Sequence, residues 1–327
     1  MGMASNILRS SINAFCKSYH SFTSIAALLA FPFSASILFS ESLVPFSPSI
    51  LNTISVRLRV MFRAAGFPPS FFSFLNLKLA QTGFTFIATL PFALTFLLFA
   101  KASIISIFRE YPRSQLTPPS FSNLFPLYRS LVKTHLLSSF IILSSNATVF
   151  SLLFLLFNAV DIIGISSDTF LLFISVGGVL LYSTVIAIAT VICNLAVIVS
   201  AMEDCGAYSA VLKGCMLIKG RVATALALAL PANLGMAMAE ALFQFRVVNQ
   251  HRHSIKFNLS VIWEGCSIAY IHALFVVLEI IISCIFFKSC KVDYCLNWSE
   301  RRELERRRRV IFEFNLYYVL IVIEAFR

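Results

Sequence analysis

The sequence predicts an all-α fold, a polytopic membrane helix bundle of about six transmembrane helices plus interfacial amphipathic helices. Three observations carry this expectation. First, 58% of the 327 residues are hydrophobic and only 13% are charged, against about 45–50% apolar and about 25% charged in a soluble domain. A water-soluble fold built from this composition would expose large apolar patches. Second, the apolar residues fall into six separate runs, each meeting the roughly 20 residues that a bilayer crossing requires. Third, the surplus of basic residues behind the net charge of +11 sits in the connections and the C-terminal tail, as an anionic cytoplasmic membrane face favours.

Residues 1–20 carry Arg9 and Lys17 and no acid, with Ile7, Leu8, Ile12, Phe15 and Tyr19 at helical spacing. They read as a short basic amphipathic helix, a pattern shared with organelle transit peptides. The six spans are expected at about 21–40, 83–107, 135–160, 169–202, 222–245 and 262–287. With no water at that depth, each must be helical to satisfy its own backbone. Pro32 and Pro91 lie inside the first two, in the similar patterns Phe31-Pro32-Phe33 and Leu90-Pro91-Phe92. Lys101 sits near the end of the second, where it is expected to snorkel. The fourth run is about 51 Å long as a helix, against a core of about 30 Å, so it must tilt or project. Its Gly177, Gly178, Ala187, Ala189 and Cys193 suit close helix contact.

Two connections look structured. Residues 50–66 put Leu51, Ile54, Leu58, Met61 and Phe62 on one side and Arg57, Arg59 and Arg63 apart from them, an interfacial helix that Pro68 and Pro69 end. Residues 204–221 read similarly, with Glu203 and Asp204 at the start and Lys213, Lys219 and Arg221 toward the end, an arrangement that suits the helix dipole. Residues 1–290 are therefore expected to form the bundle. Residues 291–327 form a basic cytosolic tail whose apolar segment, 310–326, is interrupted by Glu313, Asn315 and Glu324.

The stretches RLRVMFRAAGFPPS (57–70), LNLKLAQT (75–82), LPFALTFLLFAKASII (90–105) and MEDCGAYSAVLKGCMLIKGR (202–221) resemble a family of uncharacterised multi-pass transmembrane proteins from plants, over about residues 5–290. The last stretch is also distantly similar to bacterial membrane proteins related to the membrane domain of glycerophosphodiester phosphodiesterases. Gly214 stands where those have a serine. The resemblance implies a topology and no chemistry.

No P-loop, G-x-G-x-x-G, G-x-S-x-G or H-E-x-x-H pattern occurs, so no cofactor is expected and the chain does not read as an enzyme. The eight cysteines include no C-x-x-C pair. Cys193, Cys266 and Cys284 lie in apolar runs as small hydrophobes, while Cys16, Cys290 and Cys295 flank spans, within reach of acylation. The arginine clusters of the tail read as a membrane-surface feature; nucleic acid is not an expected partner. The bilayer is, together with other membrane proteins. What remains is a polar stripe on the sixth span. At about 100° per residue, Glu264, His272 and Glu279 share one side of about 80°, with Glu240 from the fifth span within reach. Ionisable groups at this depth face protein or a water-filled cavity, because lipid exposure is costly. Two expectations follow: a proton or substrate path, or a structural set in which His272 and Glu279 bond neutral partners such as Asn233 or Asn194 while Glu264 sits at the surface.

For function, the sequence favours a non-enzymatic protein of membrane organisation or trafficking, with a transporter or channel as the alternative. Charge bias along the six spans puts both termini in the cytosol, with the membrane in question either an endomembrane or the plasma membrane. Terminal tags in sealed microsomes should be open to added protease; protected tags would reverse the orientation. Glycosylation at Asn297 would reverse it too, whereas Asn258 is the acceptor the expected orientation exposes to the lumen.

Overall fold

The computed structural model describes residues 2–43, 48–64, 69–110, 121–163, 168–248 and 260–292, all but a few in helices, with no strand among them. The expected tail segments and the sequons at Asn258 and Asn297 lie outside the described residues. Six helices are long and apolar enough to cross a membrane: Tyr19–Ser40, Gly83–Arg109, Leu124–Leu156, Leu172–Glu203, Val222–Val248 and Ser260–Val292. The chain is an integral membrane protein in architecture. The third span starts earlier than the 135 expected from hydropathy, because Arg129 and Lys133 interrupt an apolar run that the helix carries straight through.

Helix α1 (Gly2–Lys17) precedes the first span. Its Ile7 joins the main apolar cluster, with Ala4, Leu8, Ala14 and Phe15 half-buried against it, whereas Ile12 and Tyr19 are exposed. The first span is α2 (Tyr19–Ile25), a π turn (Ala26–Ala30) and α3 (Phe31–Leu43). Helix α4 (Pro48–Ala64) is the expected amphipathic connection, with Leu51, Ile54 and Leu58 half-buried and Arg57 and Arg59 exposed. The second span runs through α5 (Pro69–Phe92), a π turn (Ala93–Leu97) and α6 (Leu98–Glu110). Then follow α7 (Phe121–Ile163), α8 (Asp168–Glu203), α9 (Ala207–Ile218), α10 (Val222–Phe243) continued by a π turn (Gln244–Val248), and α11 (Ser260–Val292).

Both proline patterns adjoin a π turn: Pro32 follows one and Pro91 precedes the other. Proline donates no backbone N–H, so the ladder loosens beside it. In the second span the Leu94 carbonyl accepts the Tyr128 hydroxyl at 2.9 Å. A π turn also inserts an extra residue and re-aims all side chains beyond it, here those of α6.

The expected surface helix at 204–221 is a shorter one, α9, folded back along the last turns of α8. Ala210, Gly214 and Ile218 recur every four residues and are buried. A Cβ at Gly214 would lie 3.4 Å from the Ile192 carbonyl oxygen and 3.5 Å from the Ala196 nitrogen, so the two backbones are nearly in contact. Small residues permit that approach; amphipathicity alone did not reveal it. Asp204, at φ 48°, closes α8, and Gly220, at φ 81°, turns the chain toward α10, a conformation glycine adopts without strain.

The span ends that alternation brings together form one charged end. Arg109 pairs with Asp204, Lys213 and Lys291 both reach Glu203 at 2.8 Å, and Lys288 donates to the Phe108 carbonyl at 2.7 Å. Cys290 is buried there, which removes it from the thiols open to acylation. The far halves of α7 and α8 instead expose Phe140, Leu143, Leu155, Phe173 and Val179, surface that belongs in lipid. Close contact there runs through Gly178, whose Cβ would meet Leu153 at 3.1 Å.

Replacing Gly214 by Leu should separate α9 from α8 and cost about 1–3 kcal/mol, the usual range for overpacking, whereas Gly214→Ala should be tolerated. Melting of the purified protein in detergent reads both; an unchanged midpoint in the Leu variant would contradict the close approach.

Candidate functional site

A cavity of about 420 Å³ lies among the spans, open on the side of α10, and each of the six spans lines it. Phe33 and Ile37 come from the first, Leu97 and Lys101 from the second, His135 from the third and Asn194 from the fourth. Asn233, Met236, Ala237 and Glu240 come from the fifth, and His272, Val276 and Glu279 from the sixth. Five of these thirteen side chains are titratable, in a chain with few charges inside its spans.

Two tiers of polar contacts organise the cavity. In the first, the Asn194 amide bridges the Lys101 amine and the Glu279 carboxyl group. Its Oδ1 accepts from Lys101 Nζ at 3.4 Å and its Nδ2 donates to Glu279 Oε1 at 2.8 Å. This orientation of the amide is the one both charges demand, oxygen toward the ammonium and nitrogen toward the carboxylate. Lys101 was expected to snorkel to the surface; it is buried instead. The helix runs on to Glu110, so Lys101 lies eight residues, about 12 Å, inside the end marked by Arg109. The π turn before it re-aims the side chain toward the bundle axis. An ammonium in that position needs acceptors, and Asn194 with Glu279 beyond it supplies them.

The second tier lies seven residues back along α11, about 10 Å. His272 is only 2% exposed. Its Nδ1 lies 3.0 Å from the Ser34 hydroxyl and its Nε2 lies 3.5 Å from Glu240 Oε1. Ser34 is fully buried behind the ring and does not line the cavity; Glu240 is partly exposed and does. Beyond this tier, Leu38, Ala239, Phe243, Val247, Ile268 and Ala269 form a separate apolar cluster.

Of the four residues singled out from sequence, Glu240, His272 and Glu279 meet in the cavity. Glu264 does not. It lies eight residues before His272, half-exposed, 3.5 Å from Arg246, and is a surface ion pair of the opposite end. Sequence reasoning missed Lys101, His135 and Ser34. Asn194 was named as a neutral partner for the stripe, and it bonds Glu279. Asn233 lines the cavity but donates to the Ala229 carbonyl of its own helix.

The charged end adds one pH-sensitive feature outside the spans. The hydrogen bond from Lys213 to Glu203 holds the Lys213 ammonium above its usual value of 10.5. A folded pKa above the unfolded one gives stability that is present below pH 10.5 and lost as pH rises through the raised value, so this contact is intact at neutral pH.

Asn194→Leu should strand both Lys101 and Glu279 and cost about 3–5 kcal/mol, the scale for breaking a buried pair. Asn233→Leu, which removes only a bond within its own helix, should cost far less. Thermal melting of both variants checks the ranking; equal midpoints would deny the relay.

A family model described as a domain of unknown function (DUF8558) matches residues 1–297. No curated protein and no solved structure matches the chain. The family match takes in all six spans and every residue of the cavity, and the chain belongs to the DUF8558 family.

Proposed function

We propose that this multi-pass membrane protein is non-enzymatic and that its central cavity binds and passes a small polar solute or ion across the bilayer. One observation carries the reading: all six spans contribute to a polar cavity holding five titratable side chains. Charged groups at that depth are expensive and, where they occur, mark solute and proton pathways. The sequence favoured membrane organisation because ionisable residues inside the spans looked few. Their convergence on one cavity, with Lys101 and His135 added, favours the alternative.

An enzymatic reading would start from the Ser34–His272–Glu240 line. Its order is the reverse of what acyl transfer needs. A nucleophilic hydroxyl must face the substrate with the acid behind the ring; here the acid faces the cavity and Ser34 is sealed behind His272. The hydroxyl therefore supports the imidazole and is not presented for attack.

A thiol reports water, because its thiolate reacts and lipid suppresses ionisation. Ala237→Cys, on the cavity wall, should react with a water-soluble methanethiosulfonate, with the label located by peptide mass spectrometry. Met238→Cys, on the exposed outer side of the same helix, should not. Equal lack of labelling in the two variants would mean a dry cavity and would remove this reading.

A further inference from the structure

We propose that the His272–Glu240 pair carries one exchangeable proton and that the cavity trades it for a monovalent cation. This rests on the cavity being a solute site, as proposed above.

Charge balance comes first. Lys101 and Glu279 oppose each other through Asn194, which leaves Glu240 as the acid without a lysine or arginine at hand among the described residues. Its nearest cationic partner is His272, at 3.5 Å. With the imidazolium present, the cavity is neutral. When that proton leaves, Glu240 is an unbalanced carboxylate on the cavity wall, and a low-dielectric site favours restoring neutrality with another cation. The exchange balances: imidazolium and carboxylate become imidazole and a cation-paired carboxylate, with one proton released for each cation taken up.

Ser34 makes both states tolerable inside the bundle. A hydroxyl accepts from Nδ1–H when the ring is charged, and rotates to donate to Nδ1 when the ring is neutral and keeps its proton on Nε2, toward Glu240. A backbone carbonyl in that place would serve the neutral ring only with its proton on Nδ1, which turns the Nε2 lone pair toward Glu240. The buried ring is thus satisfied before and after proton loss, at 3.0 Å in one fixed position. The other charged or titratable groups facing the cavity are Lys101 from α6, His135 from α7 and Glu279 from α11. The first and last are committed to each other through Asn194. His135 is a second imidazole with no carboxylate contact among the described residues.

The test uses the full chain in proteoliposomes loaded with a pH-sensitive dye. Gradients of Na⁺, K⁺ and tetramethylammonium chloride are imposed in turn, and the first two distinguish an inorganic from an organic cation site. At least one gradient should move protons several-fold faster than in empty vesicles. His272→Gln and Glu240→Gln should lose that movement, Glu264→Gln, in the surface ion pair with Arg246, should keep it, and Ser34→Ala should keep it with a shifted pH midpoint. Melting in detergent verifies folding; if His272→Gln fails to fold, Glu240→Gln and Ser34→Ala decide alone. No proton movement with any of the three cations, or movement that survives Glu240→Gln, would overturn the exchange. A wet cavity by thiol labelling together with either result would leave the solute reading standing and remove the proton.

Discussion

A lysine and a glutamate buried in an apolar bundle must answer each other, and the rest of the cavity follows from how they do. Neither can be left alone at that depth. They do not touch directly; the Asn194 amide stands between them and bonds to both. Three spans, the second, fourth and sixth, are thereby tied at one level. An amide spacer leaves room around the charges, whereas direct contact would collapse them together. The cavity is the space so kept open, and the His272 tier fills its next level.

Packing on either side serves this arrangement. Toward the charged end, Ile104, Ile105, Leu131, Val197 and Ile281 are buried in the main cluster. Beyond the second tier, Phe243 and Ile268 belong to the smaller one. The polar residues thus lie between two apolar masses. Exposure of Ala237 and partial exposure of Glu240 put the opening on the α10 side. The ion pairs of the charged end, Arg109 with Asp204 and two lysines on Glu203, join span ends across that face. Being partly solvated, they contribute less than the relay inside.

Much of this was legible in the sequence, for definite reasons. Spans are legible because hydrophobic length is set by the bilayer. His272, Glu279 and Glu240 are legible because a titratable residue in an apolar run has few places to go. Lys101 was misread because its depth depends on where α6 ends, and its direction on a π turn that leaves no residue signature beyond the nearby Pro91. His135 was hidden by a span boundary set fourteen residues past the helix start at Phe121. Ser34 could not be singled out: the chain has many helical serines, and neighbours such as Ser36 and Ser40 only bond back to their own helix. Glu264 carried the right spacing and the wrong depth, since periodicity gives the angle of a residue and not its distance from the surface.

The relay between Lys101 and Glu279 is open to one direct measurement, a double-mutant cycle of Lys101→Met and Glu279→Gln on the stability of the protein in detergent. If Asn194 couples the two charges, each single change strands the other partner, and the double variant costs clearly less than the two singles combined, by about 1 kcal/mol or more. Strict additivity would mean that the two charges are solvated independently, and that no relay holds the cavity open.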